Sequence, residues 1–270
     1  MPTAQVNGAE IYYEEAGSGP AIVLTAGGLK GVHGYFSGIV GDLAKNHRVV
    51  TYDRRFGGLS KSPMVVQSWD LCCLDVIGLM DALGIEKATL GGNSFGAAIS
   101  LNCAYRYPDR VSAILPGTVA GGVACDVMLG AQLLSAADLA LSKGMQAVAE
   151  GPDPTNRYAH FIPDAIQTDA EFRKAFESIT VEDFVQAMRD TVDSLFDGNY
   201  VTLGTTEELL RGVRTPALVM PGNDDIHPRA KAETVHRLVP GCQWGEVRRP
   251  TEEPEKYIEK VLKFLGDVGA

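Results

Sequence analysis

Between residues 87 and 107 the chain reads K-A-T-L-G, then G-N-S-F-G, then A-A-I-S-L-N-C-A-Y-R-Y. The first block reads as a short buried strand and the last as a helix packed close to it. The pentad Gly92-Asn93-Ser94-Phe95-Gly96 therefore spans a strand-to-helix turn. A serine at the apex of such a turn is forced into a strained backbone conformation, with its hydroxyl raised above the sheet. Glycine is required at 92 and 96 because a side chain at either place would collide with the neighbouring strand or helix. G-x-S-x-G alone is common by chance; the strand before it and the helix after it give it meaning.

The same alternation runs along most of the chain. Residues 4–16 alternate apolar and polar around Asn7-Gly8, a strong hairpin signal. Strands are predicted at 21–25, 47–52, 87–91, 111–115, 217–220 and 242–247, and helices at 35–45, 68–83, 97–107, 229–238 and 255–265. Strand and helix in alternation argue for a mostly parallel sheet covered on both faces. Residues 120–208 break this rhythm with helical patterns at 126–149, 169–178 and 181–195 and a Gly-Pro-Asp-Pro interruption at 151–154. The organisation that follows is a core of residues 1–119 and 209–270 with a helical cap inserted at 120–208.

Bulk properties narrow the function. A chain of 270 residues holds one large α/β domain with an inserted subdomain. A net charge of −10, without any run of Lys or Arg, works against nucleic acid or an anionic membrane as partner. No apolar stretch approaches the roughly 20 residues of a membrane span, and the opening M-P-T-A-Q-V-N-G-A-E has no secretory pattern, so a cytoplasmic location is expected. Five cysteines (72, 73, 103, 125 and 242), without metal-ligand spacing, read as buried free thiols. No phosphate loop or dinucleotide fingerprint is present, so neither cofactor nor metal is implied, and a small molecule is the expected partner. A homodimer stays open.

Alternation, elbow and insertion together resemble the α/β-hydrolase superfamily over nearly the whole chain. Thr25-Ala26-Gly27-Gly28 stands where that family has His-Gly-Gly-type residues. Tyr52-Asp53-Arg54-Arg55-Phe56-Gly57-Gly58-Leu59-Ser60 is similar to its Y-D-x-R-G-x-G-x-S segment, and 221–228 to the loop that supplies its acid. The resemblance implies Ser94 as nucleophile and an oxyanion hole formed by the Gly28 and Phe95 N–H groups. It implies an acid at Asp224, counting back from Pro228, or at Asp225, counting from Gly222. Asp224 is preferred, leaving Asp225 to cap the 229–238 helix.

The family's histidine is missing. Where a Gly-His pair should precede the last helix, the chain reads W-G-E-V-R-R-P at 244–250. Without a base, a serine hydroxyl has nothing to take its proton. His227, beside both candidate acids, is the leading substitute; His33, after the oxyanion loop, and Glu246, in the place of the missing histidine, are alternatives. His160 lies in the cap, whereas His47 and His236 are expected on the far face of the sheet. Arg54 and Arg55 are expected to be held by Asp53 and loop carbonyls.

The resulting reading is an enzyme for a small carbonyl compound, an ester, lactone or β-diketone, with a non-standard or relocated base. A lyase, cyclase or isomerase using the same oxyanion hole, or a silent ligand-binding protein on this scaffold, are the alternatives that the missing histidine keeps open.

Overall fold

The computed structural model describes residues 1–151, 162–247 and 249–270. Thr3–Val6 (β1) and Ala9–Ala16 (β2) pair antiparallel around Asn7 and Gly8, both at positive φ, the turn that an Asn-Gly dipeptide favours. Ala21–Thr25 (β3), Arg48–Tyr52 (β4), Ala88–Asn93 (β5) and Val111–Gly117 (β6) complete a six-stranded sheet in the order β1-β2-β4-β3-β5-β6. β2 runs antiparallel to β4, and β4, β3, β5 and β6 are mutually parallel. Leu218–Val219 (β7) extends the array past β6 through the parallel bridges Ile114–Ala217 and Gly117–Met220, and Gln243–Trp244 (β8) pairs parallel with β7. These last two strands are shorter than the apolar runs predict. At the margin of the sheet Ala217 and Met220 make only isolated bridges, and after Gly245 the chain leaves the ladder.

The central strands are apolar on both faces, because side chains alternate while both faces are covered. Along β3, Val23 joins one hydrophobic cluster, whereas Ile22 and Leu24 join the other. The helices are, in chain order, Ser37–Leu43 (α1), Trp69–Ala82 (α2), Phe95–Arg106 (α3), Val123–Ala149 (α4), Ala165–Thr168 (α5), Ala170–Glu177 (α6), Val181–Leu195 (α7), Glu207–Gly212 (α8), Arg229–Leu238 (α9) and Pro254–Val268 (α10). α2, α3 and α9 feed the first cluster, and α1 and α10 the second. All five cysteines are buried and free.

The helical insert lies between β6 and β7 and is built on α4 packed against α7. By length and composition α4 could cross a membrane, which corrects the expectation that no apolar stretch reaches that size. One side of it is instead buried with Phe184 and Met188 of α7, while Val123, Val127, Leu134 and Leu141 are exposed. Gly144, at φ 82, breaks the helix before its end. Pro152, Asp153 and Pro154 of the interruption, together with His160 and Phe161, lie outside the described residues.

Asp53 does not hold the two arginines, as the sequence suggested. Its carboxylate accepts the His33 and Leu59 backbone N–H groups and the His33 ring. Arg55 instead grips Asp75 of α2 through two hydrogen bonds of 2.8 Å, with side-chain exposures of only 5% and 7%. Arg55 also donates to the Asn7 carbonyl, and Asn7 Nδ2 donates to Asp75. Hairpin turn, β4 loop and α2 are thereby locked together in a buried polar knot. Removing one partner strands the other charge out of water, so Asp75→Ala should lower unfolding free energy by about 3–5 kcal/mol in urea titrations. An apolar replacement of both residues of similar volume should recover much of that loss.

Candidate active site

The loops that matter leave the carboxyl ends of parallel strands, where open α/β sheets present their binding crevice. β5 ends in Asn93 and delivers Ser94 at φ 55, ψ −115, the strained elbow predicted from the motif. A Cβ at Gly92 would run into the Gly96 backbone, and one at Gly96 into the Thr25 carbonyl. The Ser94 N–H donates to the Gly117 carbonyl of β6 at 3.0 Å, which fixes the apex against the neighbouring strand. Gly27 and Gly28 follow β3, Asp224 and His227 follow β7, and Arg249 follows β8.

His227 Nε2 lies 2.9 Å from Ser94 Oγ, and His227 Nδ1 lies 2.8 Å from Asp224 Oδ1. The shape of the β7–α9 loop makes this possible. Asp224 Oδ1 also accepts the backbone N–H groups of Ile226 at 3.0 Å and His227 at 2.8 Å. Such an aspartate-centred turn folds the loop back on its own carboxylate, so that a histidine only three residues on meets the acid. The Asp224 contact assigns the ring proton to Nδ1 and leaves Nε2 as acceptor toward Ser94.

Arg249 completes the group. Its Nη2 donates to Asp224 Oδ2 and sits 3.3 Å from His227 Nδ1. Because Nδ1 already carries a proton, the productive bond of Arg249 is the one to Asp224. Burial pushes the His227 imidazolium below its ordinary value of 6.5; the Asp224 hydrogen bond and charge raise it, Arg249 lowers it, and the net direction is down. For Asp224, burial acts upward, but hydrogen bonds and charge from His227, with Arg249, hold the carboxylate below its usual value.

These groups open on a cavity of about 270 Å³. Met128 and Leu129 of α4 reach it from the insert, and Ile226 adds a third apolar wall. Tyr35, Asn93 and Arg249 give it polar walls. The Tyr35 hydroxyl and Asn93 Oδ1 are buried beside it, the hydroxyl close to Asn93 and Thr251. Phe95 opens α3, so its N–H is one of the unpaired donors at a helix N-terminus, and Gly28 lines the cavity facing Ser94.

The other candidates lie elsewhere. Asp225 is exposed, and α9 starts after Pro228 without a side-chain cap, so Asp225 is not the cap that was expected. The His33 ring binds Asp53 at 2.7 Å and faces Glu14 at 3.6 Å, and it does not line the Ser94 cavity. Glu246 is 64% exposed and is held by both Arg229 Nη atoms and by Trp244 Nε1. Those bonds, with that of Arg229 first, pull its carboxyl down to about 2. Glu246 is not among the residues that line the Ser94 cavity. His47 is buried just ahead of β4, and His236 packs edge-on to Trp244. Among the described residues there is no cluster of three or more potential metal ligands. Arg249, Tyr35 and Asn93 were not expected at the site from the sequence. Asn93 stands inside the elbow motif itself, and Arg249 in the segment that lacks the family's histidine.

The charges around His227 set the direction of its titration. Imidazole NMR should show it protonating below 6.5 in the wild type. Arg249→Met should raise that midpoint by removing a cation, and Asp224→Asn should lower it by removing the carboxylate.

Comparison with known proteins identifies the fold family. The chain matches the α/β hydrolase fold family over residues 20–225. It is 26% identical over 280 residues to an Azorhizobium caulinodans protein that bears a provisional name as a carbamate hydrolase, covering 99% of both chains. It is 40% identical over 111 residues to the 2-hydroxy-6-oxo-6-phenylhexa-2,4-dienoate hydrolase of Comamonas testosteroni, covering 39% of this chain and 38% of that one. Among solved structures, the enol-lactonase of Burkholderia xenovorans LB400 superposes with a TM-score of 0.67 at 23% identity, over 98% of this chain and all of the other. The chain belongs to the α/β-hydrolase fold family, and these relatives are named as hydrolases.

Proposed function

We propose that this α/β hydrolase is a serine hydrolase acting on a small carbonyl compound, an ester, lactone or β-diketone, with a base relocated to the loop after β7. The observation that carries the reading is the continuous chain Ser94 Oγ–His227 Nε2–Asp224 Oδ1, with spacings of 2.9 and 2.8 Å. In this scheme His227 takes the Ser94 proton as Oγ attacks the carbonyl carbon. Asp224 holds the imidazole in the required tautomer and stabilises the imidazolium that forms. The tetrahedral oxyanion is received by the N–H groups of Gly28 and Phe95, each worth about 3 kcal/mol in comparable sites. His227 then returns the proton to the leaving group, and water repeats the sequence on the acyl-enzyme.

The size of the substrate follows from the cavity. At about 270 Å³ it falls below the range of roughly 300–1,000 Å³ typical of drug-sized ligands. Its apolar wall suits a short hydrocarbon or unsaturated group, and its polar lining suits a substrate that also carries a donor or acceptor. Carbamates and dienoates, named for the relatives, meet both requirements. The position of His227 beside Ser94 supports hydrolysis over the non-hydrolytic and silent-binding alternatives.

Two measurements test the proposal. A fluorophosphonate probe should label the wild-type protein at Ser94 and leave Ser94→Ala unlabelled; an unlabelled, folded wild type would contradict it. With p-nitrophenyl acetate, His227→Ala should lower kcat by about 10⁴ or more. His33→Asn and Glu246→Gln should leave it close to wild type, and a collapse in either would move the base to that residue.

A further inference from the structure

Arg54 is buried at 4% exposure in the β4–α2 loop, and among the described residues no carboxylate pairs with it. A cation taken out of water without a counter-charge is costly, so its neighbours must matter. Its Nη2 donates to the carbonyls of Gly28 and Leu29, the latter at 3.0 Å. Its guanidinium carbon lies 4.3 Å from the centroid of the Phe95 ring, which Trp69 also packs against at 4.6 Å. Gly31 leaves the guanidinium its space, since a Cβ there would strike it. Arg54 therefore touches the two residues assigned above to the oxyanion hole, and does so from beneath both.

We propose that Arg54 is the positioning residue of the oxyanion hole, clamping Gly28 through its carbonyl and Phe95 through its ring. The inference rests on the serine-hydrolase reading above. Gly28 sits at φ 69 and, as a glycine, would otherwise rotate freely. Fixing the carbonyls of Gly28 and Leu29 holds the backbone on one side of that residue and so directs its N–H. Cation–π contact holds the ring of Phe95, whose N–H is the second donor. The buried positive charge also lies behind the place where negative charge develops, in surroundings that screen it weakly. Arg55, next in sequence, cannot share the task because Asp75 engages it. Arg54 is not among the residues lining the Ser94 cavity; it acts through the donors.

The experiment compares wild type, Arg54→Met and Arg54→Lys with p-nitrophenyl acetate, each corrected for the folded fraction by circular dichroism. Loss of one oxyanion donor costs about 10²–10³ in kcat, and displaced donors fall at the lower end of that range. Arg54→Met should therefore lose about 10²-fold in kcat with KM little changed, and its phosphonylation rate should fall in parallel. Arg54→Lys, which keeps the charge but loses the fork, should fall between. Adding guanidinium ion to Arg54→Ala should restore part of the rate, whereas an alkylammonium of similar size should restore less. A folded Arg54→Met with wild-type kcat, or a loss carried wholly by KM or by unfolding, would overturn the proposal. If Arg54→Met does not fold, Arg54→Lys decides alone, and an unchanged kcat in that variant overturns it. Phosphonylation of wild-type Ser94 separates the two hypotheses: an unlabelled wild type sinks the underlying reading, and a labelled one with an indifferent Arg54 sinks only this one.

Discussion

Everything distinctive in this site depends on the carboxylate of Asp224. It accepts two backbone N–H groups of its own loop, the imidazole of His227 and the guanidinium of Arg249. The backbone bonds curl the loop, and the curl brings a histidine three residues away beneath the acid and beside Ser94. In the familiar arrangement acid and base arrive on two separate loops. In the proposed mechanism one turn supplies both, and the loop after β8 contributes an arginine that binds the other carboxylate oxygen of Asp224. In that mechanism a segment without histidine is compatible with a base at Ser94.

The fold was largely legible in the sequence because it rests on strong periodic signals. The elbow, the Asn7-Gly8 turn and the alternation of strands with helices all reappear within a residue or two. What blurred were β7 and β8, whose apolar character comes from burial at the margin of the sheet more than from strand pairing. The amphiphilic length of α4 was also underrated, since its apolar residues are spread over both a buried and an exposed side.

The site was legible only in part, and the reason is the same in each case. Ser94, Gly28 and Phe95 belong to the local motifs that carry the family resemblance, so the resemblance names them as candidates. Asp224 and His227 are close in sequence, but their pairing depends on a loop conformation that spacing leaves open between Asp224 and Asp225. Arg249, Tyr35 and Asn93 enter through tertiary packing, for which the sequence offers no period. The partner of Arg55 is of this kind too: the sequence pointed to Asp53, and only the packing of α2 against the hairpin brings Asp75 to it. Arg54, left without a carboxylate, then falls beneath the loop carbonyls.

The central claim, that His227 is the base for Ser94, is tested most directly by the pH dependence of Ser94 phosphonylation, set against the NMR titration of His227 in the same protein. The account predicts that the rate rises with a single midpoint below 6.5 that coincides with deprotonation of His227, and that both midpoints move upward together in Arg249→Met. A phosphonylation rate indifferent to the protonation of His227, or a midpoint that stays in place when that of His227 moves, would contradict it.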